Sequence, residues 1–187
     1  MATTARTRTT VEEFLAISEA DPRPMELIDG EVVVVSHPRV SHGELQAALI
    51  GTIVAWQRRA PRWVRISGPI GVELGAHDFY GPDVVINRWQ RLVDESGRLG
   101  ELPLICVEIR SPTTWRYDVG RKKSVYEAQG VPELWLVDDV ARVVLVFRRS
   151  SPDVGYYDTA LELDVADSLT SPLLPGFELA LSELFER

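Results

Sequence analysis

Leu45, Leu49, Ile53 and Trp56 recur at intervals of four and three with polar positions between them, which predicts an amphipathic helix over residues 42–58. Elsewhere the pattern shortens to strand-like runs. Residues 25–36, "MELIDGEVVVVS", read as a strand pair around Asp29-Gly30, a dipeptide that accepts the positive φ angles of a tight hairpin. Ahead of it, Thr10-Val11-Glu12-Glu13 has the spacing of a capping box and opens a short helix to about Ala20, ended by Asp21-Pro22 and Pro24. Strands are predicted at 62–67 and 70–74, on either side of Gly68-Pro69, then a loop over 75–81 and a strand from Pro82. Residues 91–102 read as an exposed polar connection, and 103–109 as a buried strand. After a polar stretch from Ser111 to Tyr117, Asp118 caps a predicted helix to about Gln129, with Gly130 and Pro132 as stop signals. "ELWLVDD" and "RVVLVFRR" form a second hairpin, and the tail offers short strands near 155–165 and a helix at about 180–186.

This order predicts one α/β domain over residues 1–187, a mixed sheet flanked by helices, with its core at about 10–150. The chain of 187 residues is long enough for a single core, and a 45% hydrophobic, 26% charged composition is that of a soluble globular protein. Cys106 has no second cysteine to pair with, which fits a reducing cytoplasm. "MATTARTRTT" lacks the apolar stretch of a signal peptide, and no run approaches the roughly 18 apolar residues of a membrane span. A net charge of −8 argues against non-specific coating of nucleic acid but leaves room for a local basic groove. "RVVLVFRR", if exposed, would suit pairing with a second copy as a homodimer.

The chemistry concentrates where charge interrupts apolar strands. In "ICVEIRSP", residues 105–112, Glu108 and Arg110 stand two apart, so alternation puts them on one face. A buried charge there needs a partner or a metal. Asp83 follows Pro82 at a strand start, and Lys122, Tyr126 and Gln129 share one face of the predicted helix, with Lys122 expected to be only partly buried. Two carboxylates from neighbouring strands can hold a hard divalent cation, which polarises a phosphoryl oxygen and acidifies a bound water. A neighbouring lysine stabilises the developing charge, or orients the water if its pKa falls. Taken singly, Asp83 reads equally as a turn residue, Glu108 as half of an ion pair, and Lys122 as a solvated surface group.

Together, "GPDVVI" and "LPLICVEIRSPTTWRYDVGRKKSVYEAQGVPELWLVD", with "MELIDGEVVVVS" and Ser41-His42 before them, resemble the Uma-type family of bacterial endonuclease-like proteins in the PD-(D/E)xK nuclease superfamily. The resemblance covers about residues 10–150. It implies a restriction-endonuclease-like core, Mg²⁺ or Mn²⁺ as cofactor, and DNA as substrate. It further implies Asp83, Glu108 and the Ile109 carbonyl as metal ligands, and Lys122 as the catalytic lysine, moved from the strand to the helix. Glu26 and His42 match family positions near the site, and Arg110, Tyr126 and Gln129 join them as substrate-binding candidates. The superfamily pattern has a lysine two residues after the strand glutamate, and the Uma-type proteins usually have an apolar residue there. Arg110 departs from both, and it either binds the scissile phosphate or pairs with Glu108 and excludes the metal. The second outcome would leave a binding or regulatory module on a nuclease fold. An esterase reading lacks a G-x-S-x-G elbow around Ser36-His37 or Ser41-His42.

Overall fold

The computed structural model describes residues 8–59, 64–90, 93–111, 115 and 118–186. The start of the strand expected over 62–67, positions 91–92 of the polar connection and most of the Ser111–Tyr117 stretch lie outside them.

At the N-terminal end, α1 (Val11–Ala20) begins as its sequence dictates: the Thr10 side chain accepts from the Glu13 N–H, and Glu13 accepts from the Thr10 N–H. β1 (Met25–Ile28) and β2 (Glu31–Val34) pair antiparallel around Asp29 and Gly30, whose φ angles of 56° and 73° are those of a tight hairpin turn. α2 (Val40–Gln57) buries the expected stripe of Leu45, Leu49, Ile53 and Trp56. β3 (Val64–Ser67) and β4 (Val72–Glu73) follow.

Residues 75–81 are not simply a loop. Phe79–Tyr80 forms β5, which pairs with β1 on one side and β4 on the other, closing a four-stranded sheet in the order β2-β1-β5-β4. Two residues are too few for any periodicity to show. β6 (Val84–Arg88) starts just after Asp83, and β7 (Ile105–Ile109), β8 (Glu133–Asp138), β9 (Val143–Arg148) and β10 (Thr159–Leu163) complete the larger sheet, in the order β10-β9-β8-β7-β6-β3. Only β7 and β8 run parallel, the rest pairing antiparallel. β9 has a neighbour on each side, so "RVVLVFRR" offers no free edge to a second copy. The tail adds a hairpin, β11 (Ser168–Thr170) with β12 (Glu178–Ala180), before a final short helix.

The larger sheet is covered on both faces. α2 and the C-terminal hairpin pack on Val84, Ile86, Ile105, Val107 and Ile109. On the other face, Val85, Cys106, Leu134 and Leu136 meet Tyr80 and Ile28 of the smaller sheet and Val125 and Tyr126 of the helix after β7. That helix does not begin as an α-helix: Asp118–Lys122 is a π-helical turn, continued by α3 (Lys123–Gln129) and closed by Gly130 in the left-handed region. Among the described residues no helix is long and apolar enough to cross a membrane.

Candidate active site

β6 and β7 run antiparallel with Val84 opposite Val107, so one further step brings Asp83 across from Glu108 at one end of the larger sheet. The Asp83 Oδ2 accepts the Ile109 N–H at 2.6 Å, which fixes the carboxylate against the end of β7. The Gln46 side chain donates to the Asp83 carbonyl at 2.6 Å, tying the same residue to α2. From the start of α2, His42 Nε2 lies 3.2 Å from Asp83 Oδ1, while its buried Nδ1 has no hydrogen-bond partner among the described residues. Asp83 is the chief cause that raises the His42 pKa, so the imidazolium is favoured beside that carboxylate.

Glu108 enters a buried cluster. The Lys122 Nζ lies 3.2 Å from Glu108 Oε1, 2.8 Å from Glu26 Oε2 and 3.1 Å from Asp118 Oδ1. The Tyr126 hydroxyl donates to the same Glu108 Oε1 at 2.8 Å, and the Tyr80 ring lies 5.5 Å from the ammonium. An ammonium has three N–H donors, and here three carboxylates face them. Asp118 and Lys122, four apart, are neighbours on one face of the turn that opens this helix. Lys122 is 2% exposed, not the partly buried side chain that its residue type suggests. The compensating carboxylates make burial of the charge tolerable.

Three carboxylates around one ammonium leave an excess of negative charge. Burial pushes the Glu108 pKa well above the usual carboxylate range; Lys122 opposes that shift, and Asp118, Glu26 and Asp83 add to it. The Lys122 pKa is also held well above normal, because the attraction of Glu108, Glu26 and Asp118 outweighs burial. These contacts favour the charged ammonium.

Two oxygen donors and a carbonyl are a small set for a metal. Among the described residues no three His, Cys, Asp or Glu side chains gather as a ready-made metal site. Mg²⁺ nevertheless binds through one or two carboxylates and keeps several waters. Asp83, Glu108 and the Ile109 carbonyl meet that requirement in donor type. The excess negative charge fits as well, since both donors to Glu108 reach Oε1 and no described group bonds Oε2. That oxygen is where a proton or a cation would be taken up.

The remaining candidates divide. Glu26 and Tyr126 lie in the lysine cluster, and His42 lies on Asp83. Arg110 does not pair with Glu108. β7 ends at Ile109, and the guanidinium turns across to Asp138 at the end of β8, with Nη1 2.7 Å from Oδ2. It also lies over the Trp115 ring at 5.6 Å, and its side chain is 34% exposed. Gln129 sits exposed at the end of α3 beside Gly75, where no contact links it to the carboxylates. Helical spacing puts it on the Lys122 face, but it lies nearly two turns further along α3, about 10 Å beyond the cluster. Asp118 is the participant that sequence reading assigned only to capping, and its spacing of four from Lys122 was the available signal. A further pair of contacts braces the cluster from outside: Arg121 bonds Asp29 at 2.9 Å, and the Tyr80 hydroxyl donates to Asp78 at 2.6 Å.

A mixed sheet flanked by helices, with acids and a lysine gathered at one end, makes this an α+β protein of nuclease-like architecture. The sequence matches, over residues 11–182, the family described as Uma2, putative restriction endonuclease, and the chain belongs to that family. The nuclease class is the coarsest functional statement that this membership carries. The crystal structure of a putative nuclease belonging to DUF820 from Anabaena variabilis ATCC 29413 is similar throughout, with a TM-score of 0.78 and 22% identity, covering 95% of this chain and 97% of that chain. At that identity the likeness shows the shared fold. No curated protein matches the sequence.

Proposed function

We propose that this protein is a metal-dependent phosphodiester hydrolase of the PD-(D/E)xK type that cuts DNA. The observation that carries the reading is the buried, charged Lys122 on Glu108, with Asp83 held across from it at the same sheet end. Asp83, Glu108 and the Ile109 carbonyl would hold Mg²⁺ or Mn²⁺. Such a cation polarises a phosphoryl oxygen and supplies an acidified water. Lys122 contributes fixed positive charge where negative charge develops on phosphorus, an electrostatic role with no proton transfer. Tyr126 orients Glu108 through its hydroxyl, leaving Oε2 for the cation. Arg110, about one-third exposed and 5.6 Å from the centre of the Trp115 ring, is the group suited to a phosphate of the bound strand.

A second reading has one specific observation in its favour. Every N–H donor of Lys122 faces a carboxylate, so a phosphate can reach the ammonium only by displacing one of them. A protein in which that exchange never occurs would bind DNA without cutting it.

Supercoiled plasmid incubated with Mn²⁺ separates the two. The nuclease reading expects nicked and linear products from the wild type, and none from Asp83→Asn, Glu108→Gln or chelator-treated protein. Retained DNA binding with intact plasmid under Mg²⁺ and Mn²⁺ alike would overturn it in favour of the binding module.

A further inference from the structure

Glu26 belongs to the smaller sheet, whereas Asp83, Glu108 and Lys122 belong to the larger sheet and the helix behind it. Its carboxylate nevertheless holds two parts of the site together. Oε1 accepts the Gly81 N–H at 2.8 Å and the Lys122 ammonium at 2.9 Å, while Oε2 lies 2.8 Å from the same Nζ. Gly81 stands two residues before Asp83, on the short segment by which the chain passes from β5 into β6. Antiparallel pairing of Leu27 with Phe79 is what brings β1 alongside that segment.

We infer that Glu26 is a positioning residue: it couples the Lys122 ammonium to the backbone that presents Asp83, so that docking of the smaller sheet assembles the site. This rests on the nuclease reading above for its catalytic consequence, but not for its geometry. Substrate contact is the alternative role, and the structure speaks against it. Glu26 is 5% exposed, its Oε1 accepts two protein hydrogen bonds, its Oε2 lies within ion-pair distance of the ammonium, and an anion repels a phosphate. Other supports for Lys122 come from its own turn and from β7, so Glu26 is its one carboxylate partner from the smaller sheet.

Two substitutions separate the two bonds. Glu26→Gln keeps an oxygen acceptor for the Gly81 N–H but removes the charge facing Lys122; Glu26→Ala removes both. In metal-free protein labelled with ¹⁵N, the Gly81 amide and the Lys122 ammonium serve as separate reporters of exchange with solvent. Glu26→Gln is expected to leave the Gly81 amide protected while the ammonium signal shifts and exchanges faster; Glu26→Ala is expected to expose both. In Mn²⁺ titrations Glu26→Gln should stay within about threefold of wild type, whereas Glu26→Ala should lose about 10–100-fold, the range for a partner that orients a ligand. If the plasmid is cut, Glu26→Gln should lower kcat about 10–100-fold with KM unchanged. A residue that merely stabilises the fold would shift both reporters in both variants in proportion to lost stability, and that result overturns the inference. So would reporters unchanged in both variants. A wild type that cuts no DNA defeats the nuclease reading alone, because the two reporters still decide the role of Glu26.

Discussion

Replacing Lys122 by Met removes a charge but keeps an unbranched side chain of similar length, so the effect isolates the ammonium. Its partners Glu26, Glu108 and Asp118 are 6%, 5% and 1% exposed at the side chain, so solvent screening offers no discount. Breaking a buried pair from one side costs about 3–5 kcal/mol, because the remaining charge stays uncompensated. Against a total stability of about 5–15 kcal/mol for a domain, that loss is severe. Its pH dependence has a definite sign. A carboxyl whose folded-state pKa is raised, as that of Glu108 is, stabilises the fold fully below its unfolded value and loses that contribution as pH rises through the folded value. Without the opposing ammonium the Glu108 value rises further, so the variant is penalised more at pH 8 than at pH 5. Urea unfolding followed by circular dichroism at both pH values measures this directly. A variant within about 1 kcal/mol of wild type at pH 8, or one penalised more at pH 5, would refute the account of the cluster.

Two further outcomes follow from the same geometry. Mn²⁺ binding should displace protons from the Glu108 carboxyl, whose pKa is raised by burial, so affinity should increase with pH; calorimetry in buffers of different ionisation enthalpy detects the released protons. Arg110→Leu should leave Mn²⁺ affinity unchanged, because the guanidinium pairs with Asp138 and not Glu108, while weakening DNA binding by about 1.5–3 kcal/mol for one charge-assisted contact; tighter Mn²⁺ binding in the variant would restore the competing-pair explanation.

Elements written in local chemistry were legible from the sequence. Thr10 and Glu13 cap α1 reciprocally, Asp29-Gly30 turns the first hairpin, and the Leu45–Trp56 stripe faces the sheet, because each depends on neighbours a few positions away. What escaped depends on distant partners. β5 is two residues long and exists because β1 and β4 flank it, and the C-terminal hairpin closes over a core that α2 has already begun. The charges at 108 and 110 show the same limit. Alternation aimed both side chains into one cleft, but the strand ends between them and Asp138 draws Arg110 aside. Lys122 is the sharpest case: residue type argues for the surface, and only its carboxylate partners, 4, 14 and 96 positions away, explain why it is buried. The resemblance had pointed to Lys122, Glu26 and Asp83, yet not to the bonds by which Glu26 links the other two.

In the proposed site, Asp83 and Glu108 serve one divalent cation with Lys122 beside it. A crystal structure of the protein soaked in Mn²⁺, with anomalous scattering to locate the ion, tests it most directly. One Mn²⁺ is expected, bound by Asp83, Glu108 and the Ile109 carbonyl through the oxygen ligands a hard cation prefers, with His42 displaced from Asp83. Manganese absent from the end of β7 at saturating concentration, with the His42–Asp83 pair intact, would contradict it.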